Sequence, residues 1–305
     1  MEIIDFFVKN YAGMHKSGVL IRPLRYMTRS LSCKLISLYL RHSGYKKAKR
    51  DIPVIVSLTS FPERINYVWQ IVECMLRQTY RPQKIILWLS KDEFPNEDTI
   101  PSSLSERISD KFEIRFVDQN IRSHKKYHYV SLAYPDCYAF LVDDDLFYST
   151  DLLERTWKEH EKHPESVIVN YGYEMTYDDD ERLLPYSKWR KCFKYSTSPN
   201  LFFGTGGGTL FKPSALYKDL TDIKLALELT PIADDIWLNA MVRLAKLNMV
   251  MLPNGLILPY KIKNKRLLAT QNINEGRNDK QLDSVIQYYL RTISVNPFAN
   301  SVKKQ

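Results

Sequence analysis

Two carboxylate clusters could do chemistry. Asp143-Asp144-Asp145 interrupts the apolar stretch from Cys137 to Tyr148, and Asp234-Asp235 opens the apolar pattern that begins at Ile236. An unpaired buried carboxylate is very costly, so three at the end of a buried segment call for a partner. Alternation along an extended chain sends Asp143 and Asp145 to one side and Asp144 to the other. Two hard oxygen donors on one side suit Mg²⁺ or Mn²⁺, ions that usually also hold a substrate phosphate. The plainer reading is an acidic turn or a helix N-cap, because Ser149 and Asp151 precede a helical pattern. Asp234-Asp235 has the same plain reading, since aspartate is favoured at a helix start. One aspartate satisfies that role, however, which leaves the other free to face a pocket. A carboxylate site for a metal and another for proton removal are what metal-assisted group transfer requires. The two clusters lie far apart in the chain, so the fold has to bring them together.

Further candidates flank them. Lys125-Lys126, just before the helix that precedes Asp143, are the nearest cations for a phosphate, or else a solvated pair in a loop. Of the 10 glycines, four fall between Gly204 and Gly208, where the backbone could approach a ligand closely or simply bend between two strands. Asp178-Asp179-Asp180 follows no apolar strand and reads as a solvated turn. No Gly-x-Gly-x-x-Gly or Walker A loop is present, which disfavours a dinucleotide or P-loop enzyme.

The elements that must position these groups alternate. Apolar runs at Pro53–Thr59, Lys84–Ser90, Glu113–Asp118, Cys137–Val142 and Ser166–Tyr171 read as strands. Helical patterns fall from Val68 to Gln78, from Tyr127 to Ala133, from Asp151 to His163 and after Asp234, with a long polar and aromatic loop at 174–200. Strands that alternate with helices give right-handed crossovers and a mostly parallel sheet. Ligands of such sheets gather outside the carboxyl ends of the strands, where Asp143 stands.

At 305 residues, 44% apolar and 26% charged, the chain has the composition of a globular α/β domain with appendages. Its 4 cysteines form no Cys-x-x-Cys pair, and three of them sit in apolar surroundings and read as reduced core residues of a cytosolic protein. Neither a secretory signal nor a bilayer-length apolar run is apparent. Residues 1–50 hold 11 Lys or Arg against Glu2 and Asp5, so the whole net charge of +9 lies there. Leu24, Met27, Leu31, Leu35 and Leu38 recur at helical spacing, with Arg22, Arg25, Arg29, Lys34 and Arg41 between them. Such a basic amphipathic helix suggests an anionic membrane surface, or a helix packed on the domain with a solvated basic face. The body is neutral and carries no nucleic-acid-binding motif, so nucleic acid is not expected. The division that follows is a basic arm at 1–50, a catalytic domain at 51–262 and a helical extension at 263–305.

Together, Ser57-Leu58-Thr59-Ser60-Phe61-Pro62-Glu63-Arg64, Leu87-Trp88-Leu89-Ser90 with Glu93-Phe94-Pro95, Lys125-Lys126, Asp143-Asp144-Asp145, Gly204-Thr205-Gly206-Gly207 and Asp234-Asp235-Ile236-Trp237 form an ordered set. Over about residues 52–260 that set resembles GT-A fold, family-2-like glycosyltransferases of bacterial surface polysaccharide synthesis. The resemblance implies an α/β, Rossmann-like, mostly parallel sheet flanked by helices. It implies a divalent metal, Mn²⁺ or Mg²⁺, on Asp143 and Asp145, bridging the diphosphate of a nucleotide-sugar, with a UDP-sugar favoured. Thr59, Ser60, Phe61, Arg64, Lys125, Lys126, Asp143 and Asp144 would lie around the nucleotide, and Gly206 and Gly207 would face donor and acceptor. Asp234 and Asp235 would supply the acceptor contact and the catalytic base, preferably Asp235, for inverting transfer to a glycan or lipid-linked glycan, with retention left open. The chain has no histidine after His163, where many relatives have a further metal ligand, and its second strand ends in Ser90 where relatives often have a base-reading aspartate. A metal-dependent sugar nucleotidyltransferase and a non-catalytic peripheral membrane scaffold are the alternatives. The arm leads to an expected location in the cytoplasm, on the inner face of the cell membrane.

Overall fold

A computed structural model describes residues 2–13, 22–253, 257–259 and 276–301. Two helices open the chain, α1 (Ile3–Gly13) and α2 (Arg22–His42). The sequence then alternates through β1 (Arg50–Thr59), α3 (Ile65–Leu76), β2 (Tyr80–Ser90), the short α4 (Ser102–Ser105), β3 (Phe112–Val117), α5 (Lys125–Ala133) and β4 (Tyr138–Val142). After β5 (Leu146–Tyr148) and α6 (Leu152–Lys162) come β6 (Val167–Val169), β7 (Gly172–Glu174), β8 (Arg190–Cys192), β9 (Leu201–Phe203) and β10 (Gly207–Phe211). The remaining elements are α7 (Ile223–Leu229), α8 (Asp234–Leu244), β11 (Met249–Met251), β12 (Ile257–Pro259) and a C-terminal helix, Arg277–Ile293.

Seven strands form the central sheet in the order β11-β6-β10-β4-β1-β2-β3. β1, β2, β3 and β4 run parallel, β11 runs parallel to β6, and β10 alone is antiparallel to both its neighbours. This is the mostly parallel, helix-flanked α/β arrangement that the alternation of strands and helices implies. Its strands are buried on both faces, which is why they read as unbroken apolar runs. Val54, Val56, Leu58, Phe140 and Val142 join the core on one face with α1, α2, α3 and α6. Ile55, Trp88, Ala139 and Leu141 join the core on the other face with α5, α8 and the C-terminal helix.

Three expectations change. The segment 174–200 is not one loop: β7 pairs antiparallel with β8 and β9 in a separate three-stranded sheet. The N-terminal segment is not a free arm ahead of the domain, because Ile4, Phe7, Val8, Tyr11, Cys33, Ile36 and Leu40 belong to the core of the α3 face. Asp5 secures it by accepting hydrogen bonds from Thr150 N (2.8 Å) and Thr150 Oγ1 (2.9 Å). Of the two readings of α2, packing on the domain through the apolar stripe is not what is seen, since Leu24, Met27, Leu31, Leu35 and Leu38 are exposed while Cys33, Ile36 and Leu40 pack inward. The boundary drawn at 262/263 lies outside the described residues. The second acidic triplet, Asp178–Asp180, is a solvated turn as read from sequence.

Candidate active site

The site is built at the carboxyl edge of the sheet. β1 delivers Ser60 and Arg64 there and β4 delivers Asp143–Asp145. The antiparallel β10 begins there, because Gly207 pairs with Val142. The three aspartates lie not in a strand but in the turn between β4 and β5, so strand alternation does not direct them. Asp144 points inward and accepts from Ser60 Oγ (2.6 Å) and Arg64 Nη1 (2.6 Å). Arg64 also meets Asp145 Oδ2 at 3.0 Å. Asp143 turns the opposite way, toward Lys126 Nζ at 2.6 Å.

Tyr148 fixes the turn from behind. Its hydroxyl accepts from Asp143 N (2.8 Å) and donates to the Gly206 carbonyl, which ties the acidic turn to the glycine turn. The glycines are needed there for close approach: a Cβ on Gly206 would lie 1.7 Å from Asp143 Oδ2, and one on Gly207 would lie 2.1 Å from Tyr171 Cβ.

Lys126 joins the two acidic clusters. Its ammonium, buried within the first turn of α5 rather than solvated in a loop, contacts Asp143 Oδ1 at 2.6 Å and Asp234 Oδ2 at 3.2 Å. Ser57 Oγ donates to the Lys126 carbonyl and accepts from Trp88 Nε1 (2.9 Å), so β1 and β2 hold that turn in place. His124, at the preceding residue pair, contacts the Thr230 carbonyl through Nε2 (2.7 Å), which ties α5 to the approach to α8. Lys125 is also buried, donating to Glu93 Oε2 (3.2 Å) and Asn120 Oδ1 (3.1 Å). Both lysines therefore serve carboxylates and side-chain amides in this arrangement.

Asp234 and Asp235 occupy the first turn of α8 without capping it; the N-cap is Ala233 and no side-chain oxygen closes the cap. Their environments diverge. Asp234 accepts from Thr205 Oγ1 (2.8 Å) and pairs with Lys126. Burial alone would lift it, but Lys126 and the Thr205 hydroxyl outweigh burial and hold it below the ordinary carboxylate value. Among the described residues, Asp235 has only the backbone N of Ile236 (2.9 Å) as hydrogen-bond donor. Burial, with the Asp234 charge beside it, pushes Asp235 up to about 7. Asp145 rises to about 6, through burial that Arg64 only partly offsets, with Asp143 and Asp144 adding to the rise.

The charge balance shows in these values. Five carboxylates share this edge with two cations, Arg64 and Lys126, and burial, with neighbouring carboxylates adding to it, raises the proton affinity of Asp145 and Asp235. Hard oxygens in excess of their cations fit a divalent ion. Among the described residues no three His, Cys, Asp or Glu side chains converge on one point, so an ion here would take further oxygens from a ligand. Arg64 Nε is buried without an acceptor among the described residues, an N–H left for an anionic oxygen.

The sequence-predicted residues are largely brought together: Ser60, Arg64, Lys126, Asp143, Asp144, Asp145, Gly206, Gly207, Asp234 and Asp235 share this edge. Phe61 lies under the Arg64 guanidinium, 5.0 Å from its ring centre. Thr59 turns into the sheet and donates to the Trp88 carbonyl (2.8 Å), and Lys125 is spent on Glu93. Sequence reasoning missed Tyr148, Thr205 and Tyr171. Tyr171, whose hydroxyl meets that of Tyr173 at 2.8 Å, is pushed up by burial and by the nearby charges of Asp235 and Asp143. Tyrosines inside apolar runs read as core, so only the placement of Thr205 between glycines carried a signal.

No protein-family model matches the sequence, and no curated protein is similar to it in sequence. Two solved structures of S. aureus TarS 1-349 are similar in fold. The complex with UDP-GlcNAc is 11% identical with a TM-score of 0.44, covering 80% of this chain and 74% of that one. The complex with UDP is 10% identical with a TM-score of 0.41, covering 83% and 76%. At those TM-scores the likeness adds nothing to the chemistry of the site.

Proposed function

We propose that the protein is a metal-dependent glycosyltransferase that moves a sugar from a nucleotide diphosphate sugar to a hydroxyl of a glycan or lipid-linked glycan. The observation that carries this reading is the divergence of two neighbouring carboxylates beside a turn of three others. Pairs of titratable groups pushed apart by their surroundings mark acid and base assignments.

Asp235, half-buried and pushed up to about 7, is matched to take a proton from an acceptor hydroxyl near neutral pH. Asp234, kept ionised by Lys126, holds its place and accepts a hydrogen bond from the acceptor or from Thr205. Asp143 and Asp145 would hold Mg²⁺ or Mn²⁺, which when bound would neutralise charge on the leaving diphosphate. Arg64, with its unused Nε, and the Ser60–Phe61 loop would receive the donor. Gly206 and Gly207, expected to face donor and acceptor, instead lack the Cβ atoms that would collide with Asp143 and Tyr171, and so let the acidic turn close on the glycine turn. With the base on the acceptor side, single displacement with inversion follows, and a UDP-sugar is the favoured donor.

The test is a donor screen. Purified protein is given a panel of nucleotide-sugars, UDP-sugars first, with Mn²⁺, with Mg²⁺ and with chelator, and released nucleotide is measured. Release of a nucleoside diphosphate, lost with chelator, supports the proposal. Pyrophosphate release from a nucleoside triphosphate and a sugar phosphate would make the protein a nucleotidyltransferase. Turnover of neither set, with protein that is folded, would leave a non-catalytic scaffold.

A further inference from the structure

Helix α2 carries two apolar faces, and only one is used by the fold. Cys33, Ile36 and Leu40 enter the core, whereas Leu24, Met27, Leu31, Leu35 and Leu38 are 39–65% exposed. Their spacing of three and four residues makes one continuous stripe along the helix. Phe6 of α1 is exposed beside it, and a groove of about 640 Å³ between the helices is lined by Phe6, Leu24, Met27, Leu31 and Lys34. Single exposed leucines are ordinary, but a stripe with an adjoining groove marks an interaction surface.

The charges select the partner. The whole net charge of +9 lies within residues 1–50. The two carboxylates of that segment are both withdrawn: Glu2 is buried and pairs with Lys46 (3.4 Å), and Asp5 is buried against Thr150. Lys9, Lys34 and Lys47 are exposed, and no ion pair among the described residues holds them. An apolar stripe with Lys34 at its edge, on a segment whose two carboxylates are withdrawn, matches a surface that is apolar within and anionic at its rim. Among the described residues no helix is long and apolar enough to cross a membrane, and an apolar stripe along one side of α2 is the form of a helix lying in the plane of one.

We propose that α1 and α2 form an interfacial anchor for a membrane containing anionic lipid. The outer stripe of α2 and Phe6 enter the boundary between headgroups and acyl chains, and Lys9, Lys34 and Lys47 meet the headgroups. The anchor is tied to the acidic turn through few links. Asp5 of α1 holds Thr150, and Tyr148, two residues earlier, holds Asp143 N. The anchor would thus set the height of the site above the lipid, which suits a lipid-carried acceptor. That last step rests on the proposed reaction, whereas the anchoring does not.

The experiment is vesicle flotation of the full chain, with phosphatidylcholine alone or mixed with phosphatidylglycerol, at low and high salt. The wild type is expected to float with the anionic vesicles and to do so less at high salt. Leu31→Ser with Leu35→Ser should lower partitioning on the order of a hundredfold. Lys34→Gln should lower it about fivefold on anionic vesicles only. All three positions are exposed, so thermal unfolding should match the wild type. Equal flotation of the double serine variant, or equal binding to neutral and anionic vesicles, overturns the proposal. So does a wild-type dimer in vesicle-free buffer that the double variant converts to monomer without loss of flotation, because the stripe then covers a second copy.

Discussion

Replacing Gly206 with alanine isolates the geometry of the acidic turn. The new Cβ would sit 1.7 Å from Asp143 Oδ2 and 1.9 Å from its Cγ. Non-bonded carbon contacts are comfortable only near roughly 3.5 Å, so the carboxylate must retreat by roughly 1.5 Å or more. Its retreat is restricted. Oδ1 is held by buried Lys126 at 2.6 Å, and the backbone N is held by Tyr148, whose hydroxyl also grips the Gly206 carbonyl. The side chain therefore moves by opening the Lys126 pair. Losing one charge-assisted hydrogen bond costs roughly 1.5–3 kcal/mol, and the stiffer unfolded chain returns roughly 0.4–1 kcal/mol. The net is a loss of about 1–2 kcal/mol, read as a melting temperature lower by a few degrees.

Turnover should suffer more than stability. Misplacing a group by about 1 Å can cost on the order of 10²-fold in rate. Gly206→Ala should therefore release nucleotide about 10²-fold more slowly, and it should need more Mn²⁺ for half-maximal rate. Gly208→Ala is the control. Gly208 has φ +98° and faces Phe140 rather than Asp143, so its alanine variant should melt lower while keeping the wild-type metal dependence. A Gly206→Ala enzyme with full rate and unchanged metal dependence would refute the placement of Asp143 in the reacting site.

The other substitutions divide the roles. Asp235 works ionised, so kcat/KM should fall as pH drops through about 7. Asp235→Asn should erase that limb and slow turnover roughly 10²-fold or more with donor affinity kept; the same signature from Asp234→Asn would exchange their roles. Asp145→Asn, or the wild type in excess chelator, should lose transfer and Mn²⁺-dependent donor binding while melting as before, and full activity in either case would sink the metal assignment. Glu154 anchors α6 to the start of β1 through Lys49 (2.8 Å) and to Lys158 (2.8 Å) and Thr79 (2.7 Å). Burial raises its carboxyl, but these partners prevail and bring it from 4.5 to about 2. Its contribution is therefore whole above pH 4.5 and is lost as pH falls toward 2. Because Lys49 and Lys158 are exposed and screened by solvent, Glu154→Gln should cost only about 1 kcal/mol in urea unfolding at neutral pH and progressively less below pH 4.5; an equal cost at pH 3 would contradict the sign.

The sheet was legible because its strands are covered on both faces, and such strands announce themselves as unbroken apolar runs. The short strands were not. β7, β8 and β9 each span three residues, and Arg190-Lys191-Cys192 has no apolar alternation to notice. The acidic clusters were legible as chemistry, since carboxylates beside buried runs need a reason. How they orient was not, because a turn following β4, and not the strand itself, directs Asp143–Asp145. The helix that follows the lysine pair starts two residues earlier than the pattern from Tyr127 suggests. Starting α5 at Lys125 converts two solvated cations into two buried ones, and nothing in Lys125-Lys126 itself reports the carboxylates that await them.

The N-terminal segment shows why periodicity cannot by itself say which face is buried. Around α2, Leu24, Met27, Leu31, Leu35 and Leu38 make the more continuous stripe, yet the core takes the shorter row Cys33, Ile36 and Leu40. What decides is the rest of the contact. Ser37 Oγ reaches Gln70 of α3, Arg29 Nε donates to the Pro259 carbonyl (3.0 Å), and Arg77 Nη2 donates to the Ser43 carbonyl (2.8 Å). Each of these polar anchors lies on or beside the inward row, and each satisfies a group that burial would otherwise strand. With the polar anchors spent inward, the leucine stripe and its lysines are left facing out. A helix whose inner face is settled by hydrogen bonds is free to carry an outer face for another purpose.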